Sequence, residues 1–233
     1  SGGTGAAVAA NFGLVGIGTD TINSIRSPSS ANNLVGIRPS LGLVSDSGIV
    51  PYSLTQDTAG PMARGVADAE AVLRVIAARD LPQPELPGSL RVGLLKSFFG
   101  SASVNAEVNR AMEKVVSELQ SLGIEVVQVD DQIDIADLVS NISVHLYELK
   151  AHLNHYLESV GAPYPSIDAI LESGLFHPGI KDNLIRANQL DIHSEEYSSR
   201  LRKRAELQER VRNLFARDQL NALVFPHQQQ LVC

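Results

Sequence analysis

Apolar and polar positions divide the chain into two regimes. From Val66 onward apolar residues recur at helical spacing, beginning with Val66, Ala69, Val72, Leu73 and Ile76, and helices then alternate with short apolar runs. Arg91 to Leu95 reads as a strand, Asn105 to Leu122 as an amphipathic helix stopped by Gly123, and Ile124 to Val129 as the next strand. A βαβ unit of this kind sets its two strands parallel. Residues 135–217 read as mostly helical, with breaks at Gly161 to Pro165 and at His177-Pro178-Gly179. The last long helix, about Ser194 to Arg217, takes Ser194 as its cap and gathers Tyr197, Leu201, Val211, Leu214 and Phe215 on an apolar face. Its Glu196/Arg200 and Glu206/Arg210 pairs are spaced to meet along the helix surface, and Leu220 to Phe225 closes as a buried strand.

Residues 1–65 are different. They hold 11 of the 18 glycines and six charged side chains, a composition for closely packed backbone. Ser1-Gly2-Gly3-Thr4-Gly5 leads into Ala6-Ala7-Val8-Ala9-Ala10, a glycine-rich entry to a small-residue helix. Leu14 to Gly18 and Leu34 to Arg38 read as short strands, and Pro39, Gly42, Gly48 and Pro51 punctuate a long connection. The proline-rich stretch Leu81 to Gly88 reads as a linker.

With 233 residues, 44% of them hydrophobic, the chain is long enough for a substantial core. A net charge of -7 argues against a nucleic-acid or anionic-membrane partner and leaves small neutral substrates as the natural class. No apolar run approaches the roughly 18 residues that span a bilayer. The single cysteine, Cys233, makes no internal disulfide, which points to a reducing, cytoplasmic setting. A homodimer is compatible with this composition. The missing initial Met and the stop just beyond a strand read as the ends of a piece of a longer chain.

Chemistry concentrates in Gly16-Ile17-Gly18-Thr19-Asp20-Thr21-Ile22-Asn23-Ser24-Ile25-Arg26. A serine hydroxyl is a weak nucleophile at neutral pH and needs an adjacent base. A lysine can be that base where desolvation lowers its pKa, and a charge-poor, glycine-rich neighbourhood suits this. The same residues admit a plainer reading, in which Ser24 caps a helix starting near Ser27 and the glycines only allow tight packing.

Four blocks in order, the Ser1–Gly5 entry, the stretch around Ser24, Ala31 to Ser45, and Gln56-Asp57-Thr58-Ala59-Gly60-Pro61-Met62-Ala63-Arg64, resemble the amidase signature family. The resemblance implies an α/β fold with a mixed β-sheet core flanked by helices on both faces. It treats 1–233 as one partial domain, with 1–76 as the motif-bearing catalytic core and 89–233 as the α/β and helical remainder. It implies a hydrolase that cleaves a small-molecule carboxamide through an acyl-serine intermediate, using a serine, a cis-serine and a lysine, with no metal or organic cofactor. The nucleophile falls on Ser24, and the oxyanion hole on the backbone around Thr21, Ile22, Asn23 and Ser24. Asp20 and Arg26 become a structural ion pair. Ser1 matches the second of the family's paired serines and takes a supporting hydrogen-bond role. The bridging serine and the lysine then precede the segment, which by itself is expected to be inactive. Where the family carries two glycines before the nucleophile, this chain has Ile22-Asn23, and a β-branched residue resists positive φ. Two alternatives stay open: a glutaminase similar to the A-type chain of amidotransferases, and a non-catalytic relative acting as a binding domain.

Other groups read as ordinary. His145, His152 and His155 fall on one helix and read as surface histidines rather than metal ligands. Lys96, Lys114, Lys150, Lys181 and Lys203 read as surface charges. His227 lies in a polar turn after the last strand, and Tyr52, Phe98, Phe99 and Phe176 are candidates for an acyl pocket or for core. Neither a Gly-x-Ser-x-Gly elbow nor a phosphate-binding glycine loop is present in the sequence.

Overall fold

The computed structural model describes residues 1–83, 85, 88–131 and 133–230. Cys233, and Pro84, Leu86 and Pro87 of the proline-rich stretch, lie outside the described residues. In chain order the elements are α1 (Gly2–Ala9), β1 (Val15–Asp20), α2 (Arg26–Ala31), β2 (Val35–Gly36), β3 (Thr58–Ala63), α3 (Val66–Ile76), β4 (Arg91–Leu95), α4 (Ala106–Ser121), β5 (Glu125–Val129), α5 (Ile135–Asp137), α6 (His145–Ser159), α7 (Ile167–Ser173), α8 (Lys181–Gln189), α9 (Glu195–Asp218) and β6 (Ala222–Val224). They form two compact units, one of Ser1–Asp80 with Ile142–Arg202, the other of Leu81–Asn141 with Lys203–Cys233. Among the described residues no helix is long and apolar enough to cross a membrane.

The α/β class holds, but the strands divide into two three-stranded sheets among the described residues. The first unit has an antiparallel sheet in the order β1-β3-β2. Its centre is a strand that the apolar pattern does not announce: Thr58–Ala63 is made of small residues, a proline and a methionine, and all six are buried. Gly60 is required there, because a side chain would collide with the Ile37 carbonyl. The Pro61 carbonyl accepts the Ile37 N–H at 3.0 Å, but its nitrogen has no hydrogen to return. The ladder therefore ends at Gly36, and β2 has two residues where Leu34 to Arg38 reads as strand. β1 runs on past Gly18 to Asp20, which carries the end of a paired strand to the edge of the loop around Ser24. α1 and α3 both pack against this sheet.

Helices α6, α7 and α8 form a second layer of the same unit around buried Leu149, Ile167, Leu184 and Ala187. α7 ends on Gly174 in the left-handed conformation, φ 67°. Ser166 opens it by accepting the Ala169 N–H at 3.1 Å.

The second unit contains the βαβ unit expected from the sequence, with β4 parallel to both β5 and β6. α4 packs on β5, and Gly123 after it takes φ 79°. Leu95, Val129, Leu214 and Leu220 form the core here, with Phe98, Phe215 and Phe225 against them.

Candidate active site

Asp20 organises the loop that carries Ser24. It is the last residue of β1, has no exposed surface, and its carboxylate points at the start of α2. One oxygen accepts the N–H groups of Ile25 at 3.0 Å and Arg26 at 3.4 Å, doing for this helix what a capping side chain does. The Arg26 guanidinium reaches back to both carboxylate oxygens, Nε at 3.1 Å and Nη2 at 3.2 Å, and its Nη2 also donates to the Ile22 carbonyl. Arg38 Nε stands 3.4 Å from the same carboxylate. Burial pushes the Asp20 carboxyl up, but the hydrogen bonds and charge of Arg26 and the two amides outweigh it and hold the group below the usual carboxylate range.

Residues 20 to 26 are thereby fixed at both ends while the middle is left open. Ser24 is half-buried, Ile22 and Asn23 exposed. Among the described residues no partner engages the Ser24 hydroxyl, and no acceptor engages the N–H groups of Ile22, Asn23 or Ser24. The capping reading of Ser24 does not hold: α2 starts at Arg26 with Ile25 before it and no side-chain cap bond, because the Asp20 carboxylate already takes the first amides. Neither Ile22 nor Asn23 has positive φ. The loop accommodates the β-branched residue by keeping its backbone in the ordinary range.

Ser1 sits beside the end of β1. Its hydroxyl accepts the Thr19 N–H at 2.8 Å and donates to the Thr19 carbonyl at 3.0 Å. Gly18 makes this approach possible, since a Cβ at that position would lie 2.7 Å from Ser1 Oγ. Ser1, Thr19 and Asp20 are thus linked directly, with Ser24 four residues beyond on the loop they hold.

Thr21 is held at both its hydroxyl and its carbonyl by residues that carry no individual role in the sequence reading. Its hydroxyl donates to Asp57 Oδ1 at 2.5 Å, and its carbonyl accepts from Gln56 Nε2 at 3.4 Å. The other Asp57 oxygen takes the N–H groups of Tyr52 at 2.7 Å and Ser53 at 2.9 Å. Gln56 Oε1 accepts Val144 N–H at 2.9 Å, and the Arg38 guanidinium donates to the Gln56 carbonyl at 2.7 Å. The block Gln56-Asp57 in the sequence is the available signal; what it holds depends on contacts some 35 residues away.

Behind this turn lies Glu148, fully buried on α6. It accepts the Ser53 hydroxyl at 2.6 Å, the Thr55 hydroxyl at 2.9 Å and the Tyr197 hydroxyl at 2.8 Å. Two of the three histidines on α6 are partly covered rather than fully exposed. His152 is partly buried and accepts the Leu54 N–H on Nδ1 at 3.1 Å, which leaves that nitrogen without a proton for Glu148, 3.9 Å away. His145 stacks on Tyr52 at 5.6 Å between ring centres and meets the Ser143 hydroxyl at 2.6 Å. Burial, with Arg186 and Arg200 nearby, holds its pKa below the usual histidine value. His155 alone of the three is exposed. Burial, and then the charge of Asp57, pushes the Tyr52 phenol up.

The remaining candidates fall elsewhere. Tyr52 and Phe176 pack against the core of α6 to α8, and Phe98 against Phe225 at 4.5 Å, so these rings serve as core. Lys150 is less free than a surface charge, donating to the Asn188 carbonyl at 3.2 Å. In the second unit a cavity of about 480 Å³ lies between α9 and the segment after β5, with Asp130, Glu206 and Glu209 facing Arg210 and Arg217. It holds none of the residues around Ser24. Among the described residues no group of three or more His, Cys, Asp or Glu is arranged to hold a metal ion.

A family model described as Amidase matches residues 1–231. The chain belongs to the amidase family. This amidase chain is 38% identical to an indoleacetamide hydrolase from Agrobacterium vitis over 97% of its own length and 49% of that protein. The A-type chain of a glutamyl-tRNA(Gln) amidotransferase from Picosynechococcus is 40% identical over 54% of this chain and 30% of that protein. The solved native peptide amidase from Stenotrophomonas maltophilia superposes with a TM-score of 0.77 at 30% identity, covering 98% of this chain and 54% of that one. The chain therefore spans about half the length of the curated relatives it matches.

Proposed function

We propose that the full-length protein hydrolyses a small-molecule carboxamide, with Ser24 as the nucleophile. The observation that carries this is the juxtaposition in one loop of an unpartnered serine hydroxyl with three unpartnered backbone N–H groups, those of Ile22, Asn23 and Ser24. A paired serine followed by bonded amides would be a turn; an unpaired one beside fixed donors suits acyl transfer.

In the reaction the Ser24 hydroxyl loses its proton to a base as its oxygen bonds to the amide carbon. The carbonyl oxygen becomes an oxyanion that accepts hydrogen bonds from the backbone amides of the Thr21-Ile22-Asn23-Ser24 stretch. The C–N bond then breaks, the nitrogen leaves protonated as ammonia or amine, and Ser24 is left as an ester. Water attacks that ester, releasing the acid and restoring the hydroxyl. Ser1 and the Asp20–Arg26 pair act by holding the loop. No metal or organic cofactor is required by this chemistry, and a single cysteine fits a cytoplasmic setting.

The amidotransferase-like reading rests on the relative that matches 54% of the chain, whereas the indoleacetamide hydrolase matches 97% of it. Broader coverage favours the simple amidase. Assays of the full-length protein and its Ser24→Ala variant on indoleacetamide and on glutamine, with a serine-reactive phosphonate as label, test both. Turnover of the first with an adduct on Ser24 is expected. Equal turnover by Ser24→Ala ends the nucleophile assignment, and turnover of glutamine alone favours the other branch.

A further inference from the structure

We infer that Asp57 is a positioning residue for the reaction at Ser24, acting through the Thr21 hydroxyl to fix the peptide groups of Ile22 and Asn23. The inference rests on Ser24 being the nucleophile and extends it to a residue 33 positions away in sequence.

An oxyanion hole works only if its donors are already oriented when charge develops, because reorienting them at that moment would consume the stabilisation they offer. In this loop the donors' own geometry is not self-evidently stiff. Ile22 and Asn23 are exposed, their N–H groups meet no protein acceptor, and their side chains form no hydrogen bond among the described residues. The restraint has to come from the residues on either side. On the far side Asp20 and Arg26 hold Ile25 and the Ile22 carbonyl. On the near side Thr21 is the last fixed point before the free amides.

Thr21 is gripped by two adjacent residues through two different atoms. Asp57 accepts its hydroxyl at 2.5 Å and Gln56 donates to its carbonyl at 3.4 Å. A carboxylate accepting from a hydroxyl forms the stronger class of hydrogen bond, and 2.5 Å is the short end of that class. Asp57 is not free to follow Thr21 if the loop moves, since its second oxygen is committed to the amides of Tyr52 and Ser53. That turn is in turn tied to buried Glu148 through Ser53 and Thr55. A continuous hydrogen-bonded path thus runs from the core side of α6 to the residue preceding the free amides. The side chain that closes it is a hydroxyl, which a valine of nearly the same shape cannot replace.

The test compares Thr21→Val, which keeps the methyl and removes the hydroxyl, with Thr21→Ser, which keeps the hydroxyl and removes the methyl, in the full-length protein. A packing role carried by the methyl predicts the reverse order, with Thr21→Ser more harmful than Thr21→Val. The positioning role predicts that kcat falls on the order of 10- to 100-fold in Thr21→Val with KM changed by no more than about twofold, and that Thr21→Ser, which restores the hydroxyl, recovers most of that loss. Adding Asp57→Asn to Thr21→Val should then lower kcat little further, since the connection is already broken. Should Thr21→Val fail to fold by circular dichroism, Thr21→Ala replaces it, with the same expectation. Wild-type kcat in the folded hydroxyl-free variant, or equal loss in Thr21→Ser, overturns the inference. Phosphonate labelling of the wild type is read alongside: absence of label on Ser24 overturns the nucleophile reading itself, whatever the Thr21 variants do.

Discussion

The Tyr197 hydroxyl, on the first turn of α9, donates a 2.8 Å hydrogen bond to Glu148, a carboxylate with no exposed surface. Together with Ser53 and Thr55 it turns what would be an unfavourable buried charge into a satisfied one. Removing one donor should be tolerable and removing the acceptor should not. Tyr197→Phe is expected to lower stability by about 1.5 to 3 kcal/mol, the net worth of a hydrogen bond to a charged group. Glu148→Ala strands three hydroxyl donors and leaves a cavity, for a loss of roughly 3 kcal/mol or more. Urea unfolding midpoints of the two variants check the ranking, and a Tyr197→Phe loss equal to that of Glu148→Ala would contradict it.

Asp20 gives a pH signature whose sign is fixed by its environment. Its folded pKa is depressed below the ordinary 3.8, so its contribution to stability is complete above that value and is lost as pH falls toward the folded value. The wild type should therefore show an acid destabilisation that sets in below about pH 4. Asp20→Asn should be less stable at pH 7, since two guanidinium groups lose their partner, and should show a shallower fall in acid. Thermal midpoints of both proteins from about pH 7 to about pH 3 decide this; parallel curves would show that other carboxylates carry the acid response.

How far the sequence foretells this picture depends on what each segment uses to declare itself. α3 and β4 have the residues expected of them, because periodicity and a short apolar run bounded by turn residues are local signals. β3 has no such signal: Gly60 and Pro61 are residue types that strands disfavour, and the strand exists because two neighbours pair with a stretch of mostly small residues. The loop around Ser24 is legible as a motif, but its restraint is not. Nothing local to Asp57 or Glu148 distinguishes either from an exposed acid, and their partners lie 36 and 95 residues away. His145 and His152 read as surface residues for the same reason; helical position alone cannot report that the turn carrying Tyr52 and Leu54 lies over them.

His145 adds a second pH dependence, nearer neutrality. Burial and the charges of Arg186 and Arg200 depress its folded pKa below 6.5, so the unfolded chain takes up a proton first as pH falls. Stability should be intact above about pH 7 and decline below about 6.5 until the folded histidine also titrates. His145→Gln, which retains a polar partner for Ser143, should flatten that part of the curve while being somewhat less stable throughout, because the stacking on Tyr52 is lost. Chemical denaturation at about pH 7.5, 6.5 and 5.5 measures it, and a variant with the wild-type slope over that range would remove His145 as the cause.

Gly18 links strand geometry to the chemistry proposed for Ser24. It lies between the two residues whose backbones must come close: Ser1 Oγ bonds both the N–H and the carbonyl of Thr19, and an added Cβ at 18 would stand 2.7 Å from that oxygen, 2.8 Å from Ser1 Cβ and 3.2 Å from Met62 Sδ. Alanine there must push Ser1 away from Thr19, since the neighbour on the other side is the fully buried Met62. The Thr19 amide then loses its acceptor, one residue before the carboxylate that anchors the whole loop. Overpacking of this sort costs about 1 to 3 kcal/mol in stability, and a displacement near 1 Å in the supporting strand lowers kcat on the order of 100-fold. Gly88→Ala, where an added Cβ meets no atom within 4 Å, is the matched control. Amide turnover and thermal midpoints of the two full-length variants should therefore separate clearly, with Gly88→Ala close to wild type in both. If Gly18→Ala matched the control in turnover, the contact between Ser1 and Thr19 would have no part in holding the reactive loop.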